Sequence, residues 1–436
     1  MAPNPRANVA RRQAEDNPAG PRAWMHVLLT SFLTVTLFGL AGCDKPPTWS
    51  ELIGKKKEEA PAPAPVVKQA EPTKAAPAPA PKQPEAPKKT AQEAMAQFNS
   101  TPVYRRTNEQ LAELASFPEV RDQITNLDIQ SSAVNDAGFA ALPKFDHVEQ
   151  LNISTLSYGN EALANVAKMK SVTSLWMARG AQKDKNSDAG MGYIKQMKQL
   201  TELHVDASKL TAAGIAEIAQ MTQLEKLSVA GVTGFADEHL EKLTPLVNLK
   251  YLDLTGTYVT DNGMQYLLPF TELEVLKMAK MQGLRGRGLK ELMTKHKGLP
   301  HLLQLTVYDN PYLSIEAYEG ISRMKTLVSL DVGAANCTNA AFTGAIPPLK
   351  NLEYLSVHEN DALSDPAMAV LSRMKKLKNL YFQNNKLISD ASLPMFAKVK
   401  TLEGLALLNT LVTPTGAEKL KNKLKNCKIN YNGRTL

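Results

Sequence analysis

Leu249-Lys250-Tyr251-Leu252-Asp253-Leu254-Thr255-Gly256-Thr257-Tyr258-Val259-Thr260-Asp261-Asn262-Gly263 holds the pattern that decides the fold of this chain. Leu249, Leu252 and Leu254 stand at +0, +3 and +5. That spacing suits a turn entering a short strand whose alternate side chains point into a core. Thr257 follows at +8, then apolar Val259, then Thr260-Asp261. A hydroxyl there caps free N–H groups, and a carboxylate complements the dipole of a helix that starts at this point.

The same frame, with Ile, Val, Met or Phe also allowed, recurs outward in both directions. It begins at Ile124, Val148, Val172, Leu200, Leu224, Leu249, Leu273, Leu302, Leu327, Leu352, Leu377 and Leu402. Successive starts are 24 to 29 residues apart. A period held over this many registers marks a repeat architecture, in which each unit buries its apolar face only against its neighbours. Composition agrees: 43% of the 436 residues are hydrophobic but only 6% are aromatic, which favours thin Leu-rich layers over a bulky enzyme core.

These repeats resemble the helical leucine-rich repeats of the ribonuclease-inhibitor-like superfamily, over residues 110–436. The resemblance implies an α/β right-handed solenoid or arc of about twelve repeats, with a parallel sheet on the concave face and helices of about three turns on the convex face. The family prefers Asn, Cys or Thr at +8, where the side chain bonds turn backbone. Ser132, Ser208, Thr257, Asn310, Asn360, Asn385 and Thr410 suit that role, whereas Leu156, Gly180, Val232, Met281 and Ala335 depart from it. Solenoid ends need caps. Thr107-x-x-Gln110 has the form of a capping box opening an N-terminal cap helix, and Leu424, Cys427 and Ile429 suggest a truncated thirteenth strand. Two repeats are long, with extra residues at 184–188 and near 296–300.

The N-terminal part reads differently. Residues 1–26 are polar and carry Arg6, Arg11, Arg12 and Arg22; residues 27–40 are almost unbroken apolar sequence, short for a membrane span and right for a signal-peptide core. The run ends in Leu40-Ala41-Gly42-Cys43, which resembles a bacterial lipobox, so residues 1–42 are expected to be a lipoprotein signal peptide. The resemblance implies cleavage before Cys43 and diacylglyceryl transfer to its thiol, placing the protein in a bacterial cell envelope, lipid-anchored to a membrane. Residues 43–106 are expected to form the anchor and a disordered Ala/Pro/Lys-rich linker, since residues 60–87 are dense in Pro and Ala and have little apolar bulk to bury. Residues 107–436 are then the leucine-rich-repeat domain with its caps.

Charge excludes one class of partner. The formal net charge is +8, but residues 91–436 contribute only +3 of it, so the basicity belongs mainly to targeting and linker segments and nucleic acid is not expected. Asp184-x-Asn186-x-Asp188 opens like a calcium loop, yet Ala189 and Lys195 stand where such a loop requires Gly and Glu. His204-x-Asp206 lacks a third metal ligand. Cys337 and Cys427 lie more than three repeats apart, too far for a disulfide, and read as buried small hydrophobes. No catalytic constellation, cofactor fingerprint or metal site is found, and the chain is expected not to be an enzyme.

The remaining chemistry lies at +2, +4 and +6, the outward positions of the strands. Trp176, His204 and Asp206 form one group towards the N-terminal side, with Tyr251 beyond it. Tyr308, Asp331, Tyr354, His358 and Tyr381 form a second towards the C-terminal side. Exposed aromatics among polar neighbours are typical of binding hot spots. The expectation is a monomeric, membrane-anchored protein that binds another protein through its concave face; the alternative is a carbohydrate- or cell-wall-binding structural lipoprotein whose aromatics stack on sugars.

Overall fold

The computed structural model describes residues 89–178, 188–296 and 298–436; Cys43, the lipobox, the Pro-rich segment, Asp184 and Asn186 lie outside them. The described chain is an α/β leucine-rich-repeat solenoid built on one open sheet. Its N-terminal strands are β1 (Asn126–Asp128), β2 (Gln150–Asn152), β3 (Ser174–Trp176), β4 (Glu202–His204), β5 (Lys226–Ser228), β6 (Tyr251–Asp253) and β7 (Val275–Lys277). They continue as β8 (Gln304–Thr306), β9 (Ser329–Asp331), β10 (Tyr354–Ser356), β11 (Asn379–Tyr381), β12 (Gly404–Ala406), β13 (Lys428–Tyr431) and β14 (Arg434–Thr435). Strand order equals chain order, and every pair from β1 to β13 is parallel. The +3 leucines register on one another, as Leu227 on Leu252 and Leu252 on Leu276. Leu249, Leu252 and Leu254 are fully buried, as the frame requires.

Each turn is closed by the repeat that follows it. The residue at +7 is left-handed wherever it is described, with φ between 47° and 68°. Gly231 and Gly256 adopt this freely, whereas Thr155, Ala334 and Glu359 do so against a steric cost. Their amides are the reason: Thr155 N–H donates to Ala178 O (2.8 Å), Ala334 N–H to His358 O (2.8 Å) and Glu359 N–H to Gln383 O (2.9 Å).

At +8 the buried asparagines make a ladder. Asn360 donates through Nδ2 to Val332 O (3.0 Å) and Val357 O (2.9 Å), and its Oδ1 accepts from Ala335 N–H (3.2 Å) and Cys337 N–H (2.7 Å). Asn310 Oδ1 accepts from Met281 N–H (2.7 Å) in the same way. The departures at Met281 and Ala335 are thus satisfied by the next repeat's Asn. Leu156 and Val232 are buried as plain core residues, and Gly180 lies outside the described residues.

On the helical side, an Asp at the start of one helix caps the next repeat's Thr or Ser. Asp237 accepts from Thr260 N–H (2.7 Å) and Oγ1 (2.6 Å), and Asp390 accepts likewise from Thr413. Gly263 and Gly416 leave room for these carboxylates, which an added Cβ would strike. Asp188, the one described member of the calcium-like run, is engaged in the same cap with Thr211.

Three expectations need correction. The helices are shorter than three turns: Asn160–Val166, Ala212–Ile218 and Ile315–Ile321 have 7 residues each, and Asp365–Arg373 is a 3₁₀ helix. A repeat of 24 or 25 residues that must also hold a strand and two turns leaves room for about two turns. The folded unit also starts before residue 107. α1 (Ala91–Ser100) is capped by a Thr90–Glu93 capping box and packs on α2 (Asn108–Ala115), whose own box is Thr107–Gln110. Phe98 under the Arg106 guanidinium (4.1 Å) and the Lys89–Glu113 ion pair (2.9 Å) tie the two together. At the other end, the thirteenth strand is followed by a hairpin through Asn432-Gly433, so that antiparallel β14 closes the sheet. The extra residues of the seventh repeat lengthen its helix, Arg287–Lys295, and the turn after it.

Cys337 and Cys427 are free and buried, and burial pushes their thiols up to about 12 and about 11. No helix among the described residues is long and apolar enough to cross a membrane.

Asn360→Ala leaves three buried backbone groups, Val332 O, Ala335 N–H and Cys337 N–H, without their partner, so urea unfolding is expected to show a loss on the order of 3 kcal/mol. Thr410→Ala, which removes the bond to Leu407 O (2.9 Å) and the long one from Val412 N–H (3.4 Å), is expected to cost about 1 kcal/mol.

Candidate functional site

The strands carry +2, +4 and +6 side chains outward, and parallel register stacks equal positions of neighbouring repeats. All nine residues expected to face a ligand point from this strand face, but each is half-buried, because the long side chains lie across their neighbours' backbone.

Register sets Trp176 beside His204, and the rings stack with centroids 5.2 Å apart and planes 17° from parallel. His204 Nε2 donates to Glu202 Oε1 (2.8 Å), and Lys226 holds the other carboxylate oxygen (3.2 Å). Burial works against ionisation of Glu202, but the bond from His204 and the charge of Lys226 hold its carboxyl below the ordinary value. Asp206 accepts from Ser228 Oγ and from Ala230 N–H (3.1 Å); burial nevertheless raises its carboxyl above the ordinary range. Tyr251 joins this group, with its ring 6.3 Å from His204, its hydroxyl on Asp253 (3.3 Å) and Lys277 Nζ over its face (5.1 Å). Burial, with Asp253 and Asp206 nearby, pushes the Tyr251 hydroxyl well above its usual value.

The second cluster spans β8 to β11. His358 lies over Gly333, where any Cβ would strike the imidazole. This seat brings His358 within 6.4 Å of the Tyr308 ring, while Tyr354 and Tyr381 tilt together at 5.1 Å. Asp331 accepts from Gly333 N–H (3.0 Å), a turn bond that Asp128, Asn152 and Asp253 repeat in their own repeats. Its neighbours are particular to this place: His358 Nδ1 lies 3.9 Å away and also 2.8 Å from Ser356 Oγ. Burial raises the Asp331 carboxyl, opposed by His358.

Ser356, His358 and Asp331 are the residue types of a hydrolytic triad, but Ser356 and Asp331 both approach Nδ1. Neither partner is placed at Nε2, so the ring does not bridge them as a proton relay. The arrangement offers flat aromatic surface beside fixed donors and acceptors, which is recognition chemistry. Among the described residues, the one group of three possible metal ligands is Asp122, Asp146 and His147, all exposed and away from this face. Sequence reasoning passed over Glu202, Asp253, Lys277, Ser356 and Gly333. Gly333 had a legible signal: it is the one Gly among the described +6 positions, beside a +6 His in the next repeat.

The raised carboxyls carry a pH consequence. A folded-state value above the unfolded one makes a contribution that is fully present below the unfolded value and lost as pH rises through the folded one. Asp206→Asn and Asp331→Asn keep the backbone acceptor and remove the buried charge. Each is expected to raise the thermal midpoint at pH 8 by about 1–2 °C, and to leave it unchanged or lower at pH 3, by calorimetry.

No family profile matches this sequence, and no curated protein matches it. Among solved structures, an internalin from Listeria monocytogenes aligns with 78% of this chain and 93% of its own, at 18% identity and a TM-score of 0.48. The yeast Rad7–Elc1 complex aligns with 68% of this chain and 83% of that chain, at 17% identity and a TM-score of 0.44. A leucine-rich-repeat protein from Leptospira interrogans aligns with 73% of this chain and 98% of its own, at 17% identity and a TM-score of 0.32. Likeness at this level carries nothing about activity or partner; the solenoid stands on the chain's own register and hydrogen bonding.

Proposed function

We propose that this protein is a membrane-anchored binding protein of a bacterial cell envelope, whose strand face engages another protein. The observation that carries this is the second cluster: Tyr308, Tyr354, His358 and Tyr381 present half-buried rings around Asp331 on strands that cannot move independently. Tyr supplies large contact area at small entropic cost, and a buried carboxylate left at such a face gives direction to an incoming donor. The Trp176–His204–Tyr251 cluster offers a second anchor on the same face. Attachment rests on residues 27–40 and the Leu40-Ala41-Gly42-Cys43 box, with Cys43 as the acylated residue and the Pro-rich segment as spacer.

Two experiments test this. The full chain is used as bait against detergent-solubilised envelope, beside a variant with Tyr308, Tyr354 and Tyr381 all changed to Ala. A specific protein is expected on the wild-type bait, and its affinity is expected to fall more than about tenfold for the variant. Equal capture moves the site off this cluster, and retention competed by free saccharide supports the carbohydrate reading of the same aromatics. Labelling of cells with a tagged fatty acid is expected to mark the wild-type protein and not Cys43→Ser; absence of label on the wild type, or equal label on both, would refute the lipid anchor at Cys43.

A further inference from the structure

A second surface lies on the edge where each helix hands the chain to the next strand. Counting back from +0, the residue at −3 is buried and those around it are exposed. Arg323-Met324-Lys325, Arg373-Met374-Lys375, Lys398-Val399-Lys400 and Lys423-Leu424-Lys425 share this alternation, and Lys350 follows buried Leu349 in the rung between. A tight turn imposes it in most of these rungs: Leu327 N–H bonds Met324 O (3.1 Å), Leu402 N–H bonds Val399 O (3.2 Å) and Cys427 N–H bonds Leu424 O (3.0 Å). With Lys376 at −1, five consecutive rungs expose ten Lys and Arg side chains, and no acidic residue occurs in positions −4 to −1 of any of them.

The rungs are stitched together. Asn351 Nδ2 donates to Lys325 O (3.1 Å), Thr401 Oγ1 to Leu377 O (2.6 Å) and Lys376 Nζ to Asn351 Oδ1 (2.8 Å). The cations therefore form a strip, one rung per repeat, about 19 Å long at the ~4.8 Å spacing of stacked strands. Other lysines of the solenoid meet carboxylates, as Lys226 meets Glu202, Lys250 meets Glu225 and Lys378 meets Glu353. None of these ten forms an ion pair among the described residues. Bordering Glu353 is held by Lys378 (2.6 Å), and Glu403 stands beside Lys378 in the strand register.

We propose that this edge is a docking strip for a linear anionic polysaccharide, one bearing carboxylate, sulfate or phosphate groups along its chain. Three features select that occupant. Outside the strip, acidic residues outnumber basic ones among the described residues, so a broad polyanion such as a bilayer or a duplex meets repulsion beyond the strip, whereas a thin chain stays on it. The residues between the cations are buried Met, Leu and Val, so the strip has no aromatic platform for the bases of a single-stranded nucleic acid. The rung pitch is close to the length of one pyranose unit, so successive charged sugars meet successive rungs. Lys predominates, which suits point-charge attraction to a varied polyanion over bidentate readout of one group.

The strip is separate from the strand face, and the test keeps the two apart. The full chain is titrated with fluorescent heparin and polygalacturonate, with neutral dextran as control, over a range of salt. Binding to both acidic glycans and not to dextran is expected, weakening as salt rises. Joint replacement of Lys325, Lys375 and Lys400 by Gln is expected to weaken it about tenfold. The same change at Lys209, Lys242 and Lys386, exposed lysines off this edge, is expected to leave it within about twofold, as is the triple Tyr variant. Both Lys variants are checked for an unchanged thermal midpoint, which side chains in solvent should preserve, and the Tyr variant for a folded state at the titration temperature. The inference is overturned by equal weakening in the two Lys variants, by absence of glycan binding at low salt, or by tighter binding to oligodeoxythymidine or phosphatidylglycerol vesicles than to either glycan.

Discussion

Every strand from β1 to β12 is three residues long and has no partner inside its own repeat. A strand that short cannot persist alone, and its N–H and C=O groups find partners only on the repeats before and after it. Pairing between repeats is therefore the constraint on which the rest of the structure depends. It explains why residues as unsuited to the left-handed region as Thr155 and Glu359 sit there: their amides are needed by the next repeat's carbonyls, and many such bonds together overdetermine each turn.

The same demand shapes the polar interior. Asn310, Asn360 and Asn385 are buried because an amide side chain can donate to one repeat's carbonyls while accepting from another's amides. Asp237 and Asp390 do the equivalent work on the helical side, each capping a Thr one repeat on. Stability is thus spread along nearest-neighbour interfaces, as expected of a quasi-one-dimensional array. The faces of such an array are free to carry chemistry that does not contribute to folding.

Two faces use that freedom differently. On the strand face, buried carboxylates at Asp206 and Asp331 are held against the cost of their burial, beside rings fixed by register. Such a standing cost is typical of residues kept for recognition. On the edge, cations with no carboxylate partner are aligned by turns whose buried residues belong to the core. Both arrangements depend on the repeat pitch, which turns residues 24 or 25 apart in sequence into near neighbours.

The sequence by itself determined the fold. The +0, +3 and +5 spacing, repeated at a nearly constant period, permits one stacking, since any shift of register would turn the buried leucines outward. It also placed Trp176, His204, Tyr354 and Tyr381 on one face, because side-chain direction in a strand follows from parity alone. Helix length, the start of the N-terminal cap and the closing hairpin were set by capping and turn chemistry; the signals at Thr90–Glu93 and Asn432-Gly433 were present in the sequence but lay outside the period. Only the tertiary structure decided the rest: that Asn360 rescues the turn at Ala335, that His358 rests on Gly333 between Ser356 and Tyr308, and that ten cations run in line. Each of these joins residues of different repeats at distances of a few ångströms, and such distances are fixed by how repeats stack, which no single repeat's sequence contains.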